Sequence, residues 1–222
     1  RIKIVGLETL FKESDFVIVE EKITQPLDHF AENSDKFKER IFLFIPKSIA
    51  SQIISDWRDE PNKNQLIKKS SLSSEERTSL ATIPVFFILG NESAVDPTIL
   101  LQRIVNYGRK DIIFLTAEHR GYGLSISSNS DQSHPYYVTI KQVMQDYHQV
   151  ISHYKSIFAG PWIAAGYSYG GGLVINFGHD FPGDVDIILS SSGVVDWSFL
   201  MDSYDQQVRL NLGDVLYRQL VK

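Results

Sequence analysis

The feature that most constrains this chain is the run from Gly160 to Gly172, GPWIAAGYSYGGG. Pro161 to Ala165 is apolar and uncharged and reads as a short buried strand. Gly166-Tyr167-Ser168-Tyr169-Gly170 follows, a G-x-S-x-G, and then an apolar stretch from Gly171 to Phe181 suited to a helix packed on a sheet. The pentapeptide alone is a weak signal; strand, sharp turn and helix around it make it a nucleophile elbow rather than a glycine-rich turn with an incidental serine. The turn is expected to hold Ser168 in a strained backbone conformation above the sheet. The N-terminal amides of the following helix then point at the same spot. Side chains at 166 and 170 would collide where strand and helix nearly touch.

A length of 222 residues accommodates one domain, or one domain and part of another. Hydrophobic content of 43%, with 12% aromatic, is enough for a sizeable core. The net charge of −5 disfavours a nucleic-acid partner. No run of 18 apolar residues exists, so no membrane span is expected. No signal peptide is visible behind Arg1, and a first residue other than Met suggests a mature or trimmed chain and leaves secretion open. Cysteine is absent, which excludes disulfides, thiol catalysis and cysteine-bound metal. No metal or cofactor is expected.

In chain order, Phe16–Ile23 is β-branched and strand-like, Pro26 marks a break, and Phe37–Pro46 forms a second strand paired antiparallel with the first. Residues 47–82, rich in Lys, Ser, Asn and Glu, read as a surface insertion without chemistry of its own. Pro84–Gly90 is a continuous apolar strand of the kind found inside parallel sheets, followed by a helix over Pro97–Tyr107 with Pro97 in its first turn. Asp111–Thr116 is the next buried strand, ending in Ala117-Glu118-His119-Arg120-Gly121-Tyr122-Gly123. Ile140, Val143, Tyr147, Val150, Ile151 and Tyr154 recur at helical spacing within Val138–Phe158. After the elbow and its helix, Val185–Leu189 is another buried strand, and Asp196–Lys222 is helical with a possible break at Leu210–Gly213. Alternating strands and helices give an α/β fold with a mostly parallel sheet and an antiparallel hairpin at its start.

Acyl transfer needs a nucleophile, a base, a group that orients the base, and donors for the oxyanion. Ser168 supplies the nucleophile, and the amide of Tyr169 one oxyanion donor. The second donor is expected from the loop after Gly90, from Asn91, Glu92 or Ser93. Gly90, Glu118, His119, Arg120 and Tyr167 are expected to line the cleft. The base is harder to place. Only His179 follows Ser168, and eleven helical residues put it ~16 Å away. His119 ends a strand at the elbow's edge, but the usual order of the triad disfavours it as the base; with Arg120 it more readily braces the cleft wall. His148 and His153 read as surface or packing residues. The chain runs only 222 − 168 = 54 residues past the serine. An α/β-hydrolase would continue with two more strands whose loops carry the acid and the histidine.

Gln25-Pro26-Leu27-Asp28-His29-Phe30 with Phe37 and Arg40, Gly90-Asn91-Glu92, Glu118-His119-Arg120-Gly121-Tyr122-Gly123-Leu124-Ser125, and Gly166-Tyr167-Ser168-Tyr169-Gly170-Gly171 occur in this order. Together with Phe181-Pro182 and Ser191-Ser192, they resemble the signatures of the serine peptidase family of prolylcarboxypeptidase and dipeptidyl peptidase II. The resemblance spans roughly residues 16–200 and covers the N-terminal part of that family. It implies an α/β-hydrolase core over 1–195 that lacks its last strands, and the start of a helical cap domain at 196–222. It further implies a secreted or lysosomal-type exopeptidase acting on peptides next to proline. The family's catalytic Asp and His lie beyond the cap and have no counterpart in this chain. Ser93 and Gly121 depart from the family's glycine and tyrosine. The alternatives are an esterase or lipase on the same fold and a non-catalytic hydrolase-like binding module. The expected partners are a peptide substrate and either the missing C-terminal half or a dimer mate, since the Val185–Leu189 strand would otherwise be an open apolar edge.

Overall fold

The computed structural model describes residues 14–53, 73–126 and 137–220. Its elements are β1 (Phe16–Pro26), β2 (Lys36–Pro46), α1 (Lys47–Ile53), α2 (Ser74–Leu80), β3 (Val85–Leu89), α3 (Pro97–Asn106), β4 (Ile113–Ala117), α4 (Ile140–Lys155), β5 (Trp162–Tyr167), α5 (Tyr169–Asp180), β6 (Ile187–Ser191) and α6 (Trp197–Leu220). The strands form one six-stranded sheet in the order β1-β2-β4-β3-β5-β6. The β1–β2 and β2–β4 pairs are antiparallel; β4–β3, β3–β5 and β5–β6 are parallel. This is an α/β-hydrolase sheet: an antiparallel start, then parallel strands joined by helical crossovers.

The hairpin is longer than its composition suggests. Pro26 does not break β1 but ends it, paired with Lys36. An edge strand tolerates this, because proline's missing N–H lies where no ladder bond is lost. The apolar run Ile41–Pro46 is buried throughout because β2 has neighbours on both sides and cover on both faces. On one face Phe87 and Trp162 of the sheet cluster with Tyr147 and Tyr154 of α4 and Phe177 of α5; the other carries Phe16, Phe42, Phe44 and Phe114 beneath Leu101 and Ile104 of α3. Burying each such side chain contributes about 1.5–3 kcal/mol.

Helix starts follow local chemistry. Asp96 accepts from the amides of Thr98 (2.8 Å) and Ile99 (3.3 Å), with Pro97 at the first helical position of α3. Thr139 caps α4, whose inward stripe Val143, Tyr147, Val150, Ile151 and Tyr154 matches the helical spacing, while Ile140 is exposed. The 47–82 stretch is not all surface: Ala50 and Ile53 of α1 and Leu80 of α2 enter the core, and residues 54–72 lie outside the described residues. Gly213, at φ 74° and ψ 159°, kinks α6 at the expected break. No described helix is long and apolar enough to cross a membrane.

The strand expected to be buried at Val185–Leu189 is instead β6, and it is exposed along its length. Among the described strands only β5 pairs with it. Ile188 meets Gly178 of α5, whereas Ile187 and Leu189, on the opposite face, remain 51% and 48% exposed.

Candidate active site

Ser168 sits between the end of β5 and the start of α5, at φ 54° and ψ −120°. A non-glycine residue in the positive-φ region costs on the order of 1–3 kcal/mol and persists only where its surroundings overdetermine it. Here the Ser168 amide donates to the Ser191 carbonyl of β6 (3.0 Å), and the Ser168 carbonyl accepts from the amides of Gly171 (2.9 Å) and Gly172 (3.2 Å). Glycine at 166 is obligatory, because a Cβ there would run into the Gly170 carbonyl and the Gly171 amide. The result is an exposed serine at the mouth of a helix, with no capping bond from its own side chain.

The loop after β3 reaches the same point. Gly90 passes against the Ala117 carbonyl, the His119 amide and the Tyr147 hydroxyl, so a side chain would not fit, and its carbonyl accepts from Tyr147 (3.1 Å). The Asn91 side-chain oxygen accepts from the Gly170 amide (2.9 Å). The acceptor end of that amide is therefore spent on holding α5, which leaves its NH2 end as the side-chain donor. Glu92 and Ser93 are exposed. Gly90, Asn91, Ser93 and Tyr167 border a cavity of about 490 Å³ between this loop and α3. The Tyr167 hydroxyl meets that of Tyr107 (3.1 Å), and burial together with that bond pushes its pKa up to about 12.

Two residues expected to line the cleft do something else. Glu118 is fully buried; its carboxylate accepts from the amides of Val95 (2.9 Å), Leu124 (2.8 Å) and Ser125 (3.0 Å) and from the Ser125 hydroxyl (3.0 Å). It ties together the loops after β3 and β4. Arg120 is also buried and turns away from the elbow. All five of its N–H groups are used: Nε and Nη2 on Asp146 (2.5 and 2.7 Å), Nη2 on the Pro26 carbonyl (3.1 Å), and Nη1 on the carbonyls of Leu27 (2.7 Å) and Tyr137 (2.9 Å). A buried guanidinium is tolerated only when so completely paired. Asp146 also takes His29 Nε2 (2.7 Å), and Gln142 binds Asp28 (2.7 Å) and the His29 amide (2.9 Å). The Gln25–Phe30 segment thus serves the architecture behind the site. Asp146 escaped the sequence reading; its signal was an acidic residue on the apolar stripe of α4, between Val143 and Tyr147.

His119 is buried beside the elbow. Its Nδ1 lies 2.6 Å from the Arg120 carbonyl and its Nε2 3.1 Å from the Tyr169 hydroxyl. A carbonyl only accepts, so Nδ1 carries the proton and Nε2 accepts from Tyr169. Burial lowers the pKa of this ring and raises that of Tyr169 to about 12, so both keep these roles. His148 pairs with Asp184 (2.6 Å) and His179 with Asp180 (2.9 Å). No hydrogen bond among the described residues joins a histidine to Ser168; His134 lies outside them. No cluster of described residues could hold a metal ion.

The family model described as serine carboxypeptidase S28 matches residues 76–215. No curated relative matches the chain. Similar solved structures include a protein of Bacteroides ovatus assigned as a dipeptidyl aminopeptidase IV (11% identity, TM-score 0.49, covering 84% of this chain and 23% of that one). Others are the peroxisomal α/β-hydrolase Lpx1 of Saccharomyces cerevisiae (9%, 0.46, 80% and 44%) and a thermostable carboxyl esterase of Bacillus coagulans (11%, 0.44, 77% and 44%). The chain spans less than half the length of these three structures.

Proposed function

Because the chain belongs to the serine carboxypeptidase S28 family, we propose that it carries the nucleophile of a serine exopeptidase that cleaves peptides next to proline. Residues 1–195 are its hydrolase core, and 196–222 begin a helical cap. Ser168 Oγ attacks the scissile carbonyl carbon while its proton passes to a histidine outside the described residues. The carbonyl oxygen becomes an oxyanion that accepts from the Tyr169 amide and from a donor of the Gly90–Ser93 loop, Asn91 or Glu92. Collapse breaks the C–N bond, the departing amine takes the proton, and water then releases the acyl group from Ser168. The observation that carries this reading is the backbone of Ser168, strained and exposed at the apex between β5 and α5.

The base and its acid are supplied by polypeptide beyond β6, and a secreted or lysosome-like compartment fits the family. The test is covalent labelling of the complete protein by a fluorophosphonate. Label is expected on Ser168 and is lost in Ser168→Ala; a folded protein that takes no label overturns the proposal. Peptide substrates with proline beside the scissile bond, run against their alanine counterparts and against simple esters, separate the peptidase from an esterase on the same fold.

A further inference from the structure

The elbow is held from two sides. Asn91 takes the Gly170 amide at 2.9 Å, and His119 takes the Tyr169 hydroxyl at 3.1 Å. The second bond belongs to a chain of positioning groups that ends in the protein interior. His119 is oriented by the Arg120 carbonyl, and the Arg120 side chain is fixed by five bonds to Asp146, Pro26, Leu27 and Tyr137. The His119 ring also packs edge-on against Tyr122, 5.2 Å between centroids, which restricts its rotation further. Tyr169 is the residue whose amide follows the nucleophile. Anchoring its side chain at the hydroxyl fixes where that amide points.

We propose that His119 is a positioning residue for the oxyanion site: as a neutral Nε2 acceptor it holds the Tyr169 hydroxyl and thereby aims the Tyr169 N–H at the developing negative charge. His119 touches no reacting atom in this role and transfers no proton. The inference rests on Ser168 being the nucleophile. It gives a function to a histidine that its place at the elbow would otherwise nominate as a base.

The test uses the complete protein and the second-order rate of fluorophosphonate labelling, which depends on the oxyanion site and needs no knowledge of the natural substrate. Tyr169→Phe removes one hydroxyl. It is expected to slow the bond-forming step about tenfold, a fraction of the 10²–10³ lost when an oxyanion donor is removed outright, with reversible affinity for the probe within about twofold. His119→Leu should show the same loss. His119→Gln, which restores an acceptor near the position of Nε2, should recover to within about threefold of wild type. The Tyr169→Phe/His119→Leu double variant should be no slower than either single one, because both break the same bond. Wild-type labelling by Tyr169→Phe, or additive losses in the double variant, overturns the proposal while leaving Ser168 as nucleophile. Absence of label on the wild-type protein removes both.

Discussion

At the scale of the residue, the site depends on one strained serine and the absence of side chains around it. Gly166→Ala would drive a methyl group into the Gly170 carbonyl, where two backbones leave no room to relax. A loss of about 1–3 kcal/mol is expected, read by denaturant unfolding, together with loss of fluorophosphonate labelling. Glu39 is the other informative residue. It is fully buried, and burial, with Asp146 second, raises its pKa well above the ordinary glutamate range. Its carboxyl therefore binds a proton in the folded protein under conditions where the unfolded chain has released it. Stability from this group is complete below the unfolded pKa and declines as pH rises towards the folded one. Glu39→Gln should flatten that decline, seen as a smaller fall in melting temperature between pH 4.5 and 7 than in wild type. An unchanged slope would show that Glu39 is ionised in the fold. Neither Glu39 nor Asp146 stood out in the sequence, because the burial of a carboxyl group is decided by distant partners, as in the bond of His29 to the Asp146 carboxylate 117 positions away.

At the scale of the element, the β1–β2 turn, the end of β4 and helix α4 are joined by one buried ion pair. Asp146 receives Arg120 and His29 at once, and Arg120 lies over the Phe37 ring at 5.0 Å. Removing the carboxylate leaves a guanidinium buried without its counter-charge, so Asp146→Ala should cost about 3–5 kcal/mol, measured as a shift in the denaturation midpoint of the complete protein. A cost below 1 kcal/mol would mean that water replaces the carboxylate. The cap of α3 is a smaller contribution. Asp96→Ala removes two bonds to helix amides and is expected to cost about 1 kcal/mol by the same measurement. The existence and order of the described strands were legible in the sequence, since apolar runs, prolines and glycines are local signals. The ends were less so: β1 runs on past Ile23 through Thr24–Pro26 because β2 lies beside it, and no property of those three residues alone requires a strand.

At the scale of the whole molecule, the sheet ends in β6, whose apolar residues Ile187 and Leu189 face away from α5 with nothing described to cover them. A bare apolar edge pairs readily with other chains. The segment 14–220 expressed alone is expected to self-associate, and the Ile187→Lys/Leu189→Lys variant to elute closer to a monomer in size-exclusion chromatography. A monomeric wild-type segment would show that the edge is protected in another way. The elbow shares this dependence, because the Ser168 amide is anchored on the Ser191 carbonyl of the same strand. A strand added to β6 would therefore also steady the nucleophile.

The sequence by itself determined the elements, the elbow and the class of chemistry, because strand and helix periods, glycine at close approach and a serine between them are written in neighbouring residues. Tertiary structure alone decided which polar residues serve the site and which serve the frame. Glu118 and Arg120 sit beside His119 in the chain, yet their side chains point into loops and core while His119 reaches the elbow. Adjacent residues at the end of a strand face opposite ways, and only the packing of distant segments settles what each one meets.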